Sequence, residues 1–150
     1  MKFTHTATVA ATRDVVWAQV MDVAAAARCV PGVASVRPAG KDRYAGTIAV
    51  QVGPVRLALD GDLAITARDE QAGTASVRAD AKDSRVGGAI RATMDLALAD
   101  RSGATELRID TDLTVMGRLG EFGQAVIKRK ADQLMRDFAE CLAQKVQPPR

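Results

Sequence analysis

The sequence predicts an α+β fold in which a curved antiparallel sheet of six to seven strands wraps around one long C-terminal helix. Three observations predict it: alternating apolar and polar positions over residues 33–115, short Gly-containing turns between these segments, and an apolar period of three to four residues at the end of the chain. Alternating strands joined by short turns form an antiparallel meander with one dry face. Because no segment between these strands is long enough for a helical crossover, a Rossmann-type sheet is excluded.

The first elements are a strand and two short helices. The segment KFTHTATVAA alternates and predicts the strand. Thr12 caps a helix that begins near Arg13, and Asp22 opens a second helix over VAAAARC. Pro31 is expected to end the second helix, because the residue before a proline avoids helical geometry, and Gly32 permits the turn that follows.

The remaining elements each have one apolar face. The strands are RYAGTIAVQV, VRLALDGDLAIT, TASVRADA, AIRATMDLALAD and TELRIDTDLTV, preceded by VASVRP. From about Leu119 to Gln144, apolar residues recur three and four positions apart, which predicts one amphipathic helix about 39 Å long. That length crosses the dry face of a sheet whose strands lie about 4.8 Å apart. We expect a single domain over residues 1–146 and a short tail over 147–150.

Composition limits the function. The chain is 47% hydrophobic but has only 3 Phe, 1 Tyr and 1 Trp, so small side chains carry most of the apolar content. Such a domain either packs its backbones very closely or keeps an internal space. The net charge is +3 without a basic block, so nucleic acid is not an expected partner. The absence of a signal peptide or a long apolar run favours a cytoplasmic, soluble protein. In that compartment Cys29 and Cys141 are expected to be free and buried.

An apolar cavity is predicted between the sheet and the long helix, because the inward positions are almost all aliphatic. The predicted lining is Ile48, Val50, Leu59, Leu63, Val77, Ile90, Met94, Leu113, Phe122, Val126 and Met135. The predicted rim is Trp17, Cys29, Pro31, Gly32, Gly120 and Gly123. The alternative is that these side chains only fill a solid core.

No catalytic residue, metal ligand or cofactor site is expected. His5 is the only histidine, and the sequence alone places no carboxylate or nucleophile beside it. Cys29 lies at the end of a helix, where the dipole disfavours a thiolate. The strand aspartates fall on the polar face, and MGRLGEFG lacks the lysine of a phosphate loop. An enzyme of this fold needs polar groups that project into the cavity, and convergence of His5, Arg78 or Asp80 there would favour that alternative.

Four segments resemble the CoxG family of carbon monoxide dehydrogenase subunits. They are ARCVPGVASV, YAGTIAVQVGPVRLALDGDLAI, VGGAIRATMDLAL and GRLGEFGQAVIKRKADQLMRDFAECL, which together cover most of the chain. The order of elements, with VW in the first helix, is also similar to that of the helix-grip fold of START and Bet v 1-like proteins.

The resemblance implies a non-catalytic accessory protein that holds a hydrophobic small molecule, a lipid or a quinone, and serves a molybdenum hydroxylase of the carbon monoxide dehydrogenase or xanthine dehydrogenase type. Many family members continue into an apolar C-terminal anchor. Because this sequence ends at Arg150, we expect at most peripheral contact with the inner face of the membrane. Two alternatives stay open: a helix-grip cyclase, dehydratase or hydrolase acting on a hydrophobic substrate, and a ligand-free assembly or recruitment factor for the dehydrogenase.

Overall fold

The computed structural model describes residues 1–83 and 85–145, so the predicted tail over 147–150 lies outside the described residues. The strands are β1 (Lys2–Val9), β2 (Val33–Gly40), β3 (Arg43–Val52), β4 (Val55–Asp69), β5 (Thr74–Asp83), β6 (Gly88–Arg101) and β7 (Ala104–Met116). The helices are α1 (Arg13–Met21), α2 (Val23–Ala27) and α3 (Gln124–Lys145), with a 3-10 helix over Gly117–Phe122.

The seven strands form one antiparallel sheet in the order β1-β7-β6-β5-β4-β3-β2. Strand β1 therefore joins the meander at its far edge, beside β7, where Phe3 lies opposite Thr111 and His5 lies opposite Ile109. Side chains that face each other across an antiparallel pair share one face of the sheet. The sheet, the two short helices and the long C-terminal helix confirm the predicted fold class.

Helix α3 lies on the inner face of the sheet and makes most of its strand contacts with β1. Two groups of buried residues pack on that face. The first lies near the short helices and the C-terminal part of α3, and it includes Val9, Val16, Trp17, Leu107 and Leu142. The second lies around the 3-10 helix, and it comprises Val50, Val52, Leu57, Leu59 and Leu119.

The two predicted helix ends differ from the observed ones. Helix α3 begins at Gln124 rather than near Leu119, because Gly123 takes a φ of 88° and separates α3 from the 3-10 helix. Leu119 is instead a buried anchor of the second core group. Helix α2 ends at Ala27, earlier than the predicted end at Cys29. Pro31 lies beyond the end of the helix and does not mark it.

Cys29 and Cys141 form a disulfide, so the expectation of two free thiols was wrong. Cys29 follows α2 and Cys141 lies in the last turns of α3, and the docking of α3 brings their Cα atoms to 5.4 Å. The two residues are 112 positions apart in the chain. Sequence spacing therefore gives no sign of the pairing, which only the packing of α3 produces.

Candidate functional site

A cavity of about 320 Å³ lies between the sheet, the short helices and α3. Its walls from the sheet are Phe3, Leu63, Ile65, Ala75, Val77, Ala92, Met94, Leu96, Ile109, Thr111 and Leu113. Its walls from α1, α2 and the turn after α2 are Val20, Met21, Val23, Ala26, Ala27 and Val30, and α3 adds Ala131, Leu134, Met135 and Phe138. The volume is at the lower end of the range for small-molecule sites.

Five of the predicted lining residues lie on these walls: Leu63, Val77, Met94, Leu113 and Met135. They are inward positions of β4, β5, β6 and β7 and one position of α3. Alternation along a strand identifies the inward face of the four strand residues, and these four also lie at the level of the cavity along their strands. The structure thus gathers all five around one space, which is the condition for a shared ligand.

The other six predicted lining residues lie elsewhere, which corrects that part of the prediction. Val50 and Leu59 belong to the second core group, and Ile48, Ile90 and Phe122 pack against that group. Val126 is 37% exposed in the first turns of α3. The period of two tells which face of the sheet a side chain occupies. The position along the strands at which the cavity opens depends on where α3 crosses the sheet, and the sequence does not specify that crossing point.

The predicted rim residues are also placed differently. Trp17 is buried in the first core group, and Cys29 is buried in the disulfide. Pro31, Gly120 and Gly123 are exposed. Gly32 has a φ of 90° and packs so closely that a Cβ would overlap the carbonyl oxygen of Ala49.

The neighbours of these rim residues form the wall instead. Ala26, Ala27 and Val30, on either side of Cys29, face the cavity, so the segment expected at the entrance is part of the interior. Sequence reasoning also missed Phe3, whose signal was its inward position on β1. It missed Val20 as well, whose signal was its place on the apolar face of α1.

Thr111 has the one polar side chain among the described residues that line the cavity. It is 7% exposed, and its Oγ1 has no hydrogen-bond partner within the described part of the chain. Leaving a buried hydroxyl unpaired costs about 1–3 kcal/mol. Because Oγ1 itself is buried, the surface that the described walls present to the cavity is apolar.

A hydrogen bond between His5 and Asp132 joins β1 to α3. Nε2 of His5 lies 2.7 Å from Oδ1 of Asp132, and Arg136 donates to the other oxygen of the same carboxylate at 2.6 Å. The hydrogen bond from His5 is the main reason that the pKa of Asp132 lies below its usual value. His5 does not line the cavity, and its buried Nδ1 has no partner among residues 1–83 and 85–145.

His5, Arg78 and Asp80 do not converge inside the cavity. Arg78 and Asp80 point to the outer face of β5, where Nε of Arg91 lies 2.8 Å from Asp80 and Nε of Arg78 lies 3.4 Å from it. The hydrogen bond from Arg91 lowers the pKa of Asp80. These side chains therefore stabilise the solvated face of the sheet, on the opposite side from the cavity.

Within 1–83 and 85–145, no three side chains of His, Cys, Asp or Glu come together as a group of metal ligands. In the same part of the chain, no helix has both the length and the apolar composition that crossing a bilayer requires.

The sequence matches the model of a known family over residues 6–147, and that family is described as CoxG, a subunit of carbon monoxide dehydrogenase. The match spans the sheet, the short helices and α3, and it confirms the resemblance seen in the four sequence segments. No curated protein matches the sequence.

Solved structures with the same fold have low sequence identity to this chain. A conserved protein from Geobacillus kaustophilus has a TM-score of 0.87 and 18% identity, over 97% of this chain and 95% of that one. A START superfamily protein from Mycobacterium smegmatis has a TM-score of 0.73 and 14% identity, over 97% and 96%. The Zhui aromatase/cyclase from Streptomyces sp. R1128 has a TM-score of 0.62 and 18% identity, over 98% and 96%. At these identities, the similarity establishes the helix-grip fold alone.

Proposed function

The chain belongs to the CoxG family of carbon monoxide dehydrogenase subunits, and on that premise we propose that it is a non-catalytic accessory protein that binds a hydrophobic small molecule in its internal cavity. The ligand is lipid-like or quinone-like, and the partner is a molybdenum hydroxylase of the carbon monoxide dehydrogenase or xanthine dehydrogenase type. The observation that supports ligand binding most strongly is the cavity of about 320 Å³ with walls from three layers of the fold.

The walls suit an apolar occupant for a physical reason. Protein interiors are normally close-packed, and an apolar space of this size forfeits dispersion contacts around its whole surface. An apolar molecule restores those contacts and leaves water, and both effects favour binding. Met21, Met94 and Met135 add unbranched, polarisable side chains that adapt to different shapes.

The partner in the proposal comes from the family description. A membrane contact is included as a peripheral one at the inner face, because the net charge of +3 favours an anionic surface. Sedimentation with phosphatidylglycerol vesicles at low and high salt tests that contact. We expect binding that salt weakens, and the absence of sedimentation at low salt would remove the membrane from the proposal.

A cavity-filling variant tests the proposed ligand binding. Ala92 lines the cavity from β6, whereas Ala99 is exposed on the other face of the same strand. In native mass spectrometry of the purified chain, we expect a bound hydrophobic molecule on the wild type and on Ala99→Leu. We expect Ala92→Leu to lose it, because the added side chain occupies part of the space.

The same pair of variants separates the proposal from a ligand-free assembly factor. In a host that contains the dehydrogenase, we expect Ala92→Leu to lower the activity of that enzyme and Ala99→Leu to leave it unchanged. Full activity with Ala92→Leu would favour the assembly factor. Retention of the bound molecule by Ala92→Leu would contradict binding in this cavity.

A further inference from the structure

The described walls of the cavity offer no strong hydrogen-bonding group to an enclosed molecule. Every described wall residue except Thr111 is Ala, Val, Leu, Ile, Met or Phe. Oγ1 of Thr111 is buried within the wall, so it does not face the space inside. The backbone groups of the wall strands bond to each other, because β4 to β7 pair along the cavity. A polar group that enters therefore loses its bonds to water and gains none in exchange.

The cavity is a partly open recess and not a sealed void. Part of its boundary is open to solvent. Leu63, Val77 and Leu134 on its walls are half-buried and not fully buried. A bound molecule can therefore place its apolar part between the walls and keep its polar part in water.

The size of the cavity limits the enclosed part of a ligand. A volume of about 320 Å³ holds about ten groups the size of a water molecule, at about 30 Å³ each. A methylene group has a similar size. The enclosed part is therefore a linear chain of about ten carbon atoms, or one ring with a short chain. A longer molecule extends beyond the walls.

We propose that the cavity encloses a segment of pure hydrocarbon of about ten carbon atoms and that the polar head of the ligand stays outside it. The acyl chain of a lipid or the isoprenoid tail of a quinone enters. The quinone ring does not, because its two carbonyl oxygens would find no donor on the described walls. The inference rests on the proposed ligand-binding function and adds which part of the ligand the cavity selects and how large that part is.

A chain-length series measures the enclosed segment. The full chain is titrated by calorimetry with n-alkyl carboxylates from hexanoate to hexadecanoate, each below its micelle concentration. We expect the affinity to rise about fourfold per added methylene up to about ten to twelve carbons, since each enclosed methylene leaves water. Beyond that length we expect less than about 1.5-fold per methylene, because the added groups lie outside the walls. Constant fourfold steps up to hexadecanoate would overturn the size limit.

Two variants should move the break in this series in opposite directions. Ala92 and Leu113 face each other across β6 and β7, and both line the cavity. We expect Ala92→Leu to shift the break to chains about three carbons shorter and Leu113→Ala to shift it to chains about three carbons longer, since interiors are close-packed. Ala99→Leu, on the other face of β6, is the control and should leave the break unchanged. If Ala92→Leu fails to fold, Leu113→Ala still gives the shift. A break that neither variant moves would overturn ligand binding in this cavity.

The head group and a polar group within the chain test the other half of the inference. We expect n-alkyltrimethylammonium ions to show the break at the same chain length as the carboxylates, because both heads stay outside. We expect 6-oxododecanoate to bind at least about tenfold more weakly than dodecanoate, because the ketone would be enclosed without a donor. Equal affinities of these two probes would overturn the hydrocarbon requirement and leave the ligand-binding function in place. Failure of the whole series to bind the wild type would overturn the ligand-binding function itself.

Discussion

Asp83 is a buried carboxylate whose observed partners are backbone amides. It is 2% exposed, and it accepts hydrogen bonds from Val86 and Arg85 at 2.8 Å and from Ala58 at 3.0 Å. These bonds, that of Val86 first, lower the pKa of Asp83 because they stabilise the charged form. Since the folded-state pKa is depressed, this stabilisation is present above the ordinary aspartate pKa of about 3.9 and is lost as pH falls through the folded-state pKa.

We expect Asp83→Asn to lower the free energy of unfolding by about 2 kcal/mol at pH 7, because the amide NH₂ replaces an acceptor with a donor that faces backbone N–H groups. Urea unfolding at pH 7 and near pH 3 measures the effect, and the gap between variant and wild type narrows at the lower pH. Asp62→Asn, at an exposed position of β4, is the control. A gap that is the same at both pH values would contradict the charged-carboxylate interpretation.

Residue type and strand parity predicted a part of the site at this scale. They placed Leu63, Val77, Met94 and Leu113 on the inner face, and all four line the cavity. They did not predict the unpaired state of Thr111. A hydroxyl that alternates with Ile109 and Leu113 is visible in the sequence, but whether it finds a partner depends on atoms from other elements.

At the scale of elements, the disulfide joins the turn after α2 to the C-terminal part of α3. Ala26 and Ala27 from α2, Val30 from the turn and Phe138 from α3 line the cavity beside it. The disulfide therefore holds two walls of the cavity together. It also closes a loop across most of the chain, which restricts the unfolded state more than a short loop would.

We expect reduction of the disulfide to lower the free energy of unfolding of the wild type by about 2–5 kcal/mol. Urea unfolding with and without a phosphine reductant measures this difference without changing any side chain. The double variant Cys29→Ala with Cys141→Ala is the control, and its stability should not respond to the reductant. If the untreated wild type titrates as two free thiols and its stability ignores the reductant, the cross-link does not form.

The elements themselves follow from local pattern to a large extent. Alternation predicted the meander, and the three- to four-residue period predicted α3. The start of α3 was missed because Gly123 adopts a positive φ and divides the segment into a 3-10 helix and an α-helix. An apolar period continues across such a break, since it records which side chains are buried and not the backbone angles between them.

At the scale of the whole molecule, the sheet has a charged outer face and an apolar inner face. Helix α3 and the short helices cover the inner face and enclose the cavity against it. Binding to the folded state alone stabilises it in proportion to the logarithm of ligand concentration once the site is mostly occupied. A ligand of this cavity contacts the sheet, the short helices and α3 together, so it opposes global unfolding rather than local opening.

With free propylbenzene at ten times its dissociation constant, we expect about 1.4 kcal/mol of added stability. For a chain of this size that raises the unfolding temperature by about 3–6 °C. Differential scanning fluorimetry measures the shift for the wild type and for Ala92→Leu at the same propylbenzene concentration. The variant should show a clearly smaller shift, and equal shifts in the two proteins would place the binding outside this cavity.

The sequence by itself determined the class of fold, the inward faces of the strands and the family, because periodicity and local motifs are properties of neighbouring residues. The tertiary structure alone decided where the cavity opens, that Cys29 meets Cys141, that His5 meets Asp132, and that Thr111 has no partner within the described residues. Each of these depends on how α3 and the short helices dock on the curved sheet. Docking brings together atoms that lie far apart in the chain, and their spacing in the sequence holds no record of it.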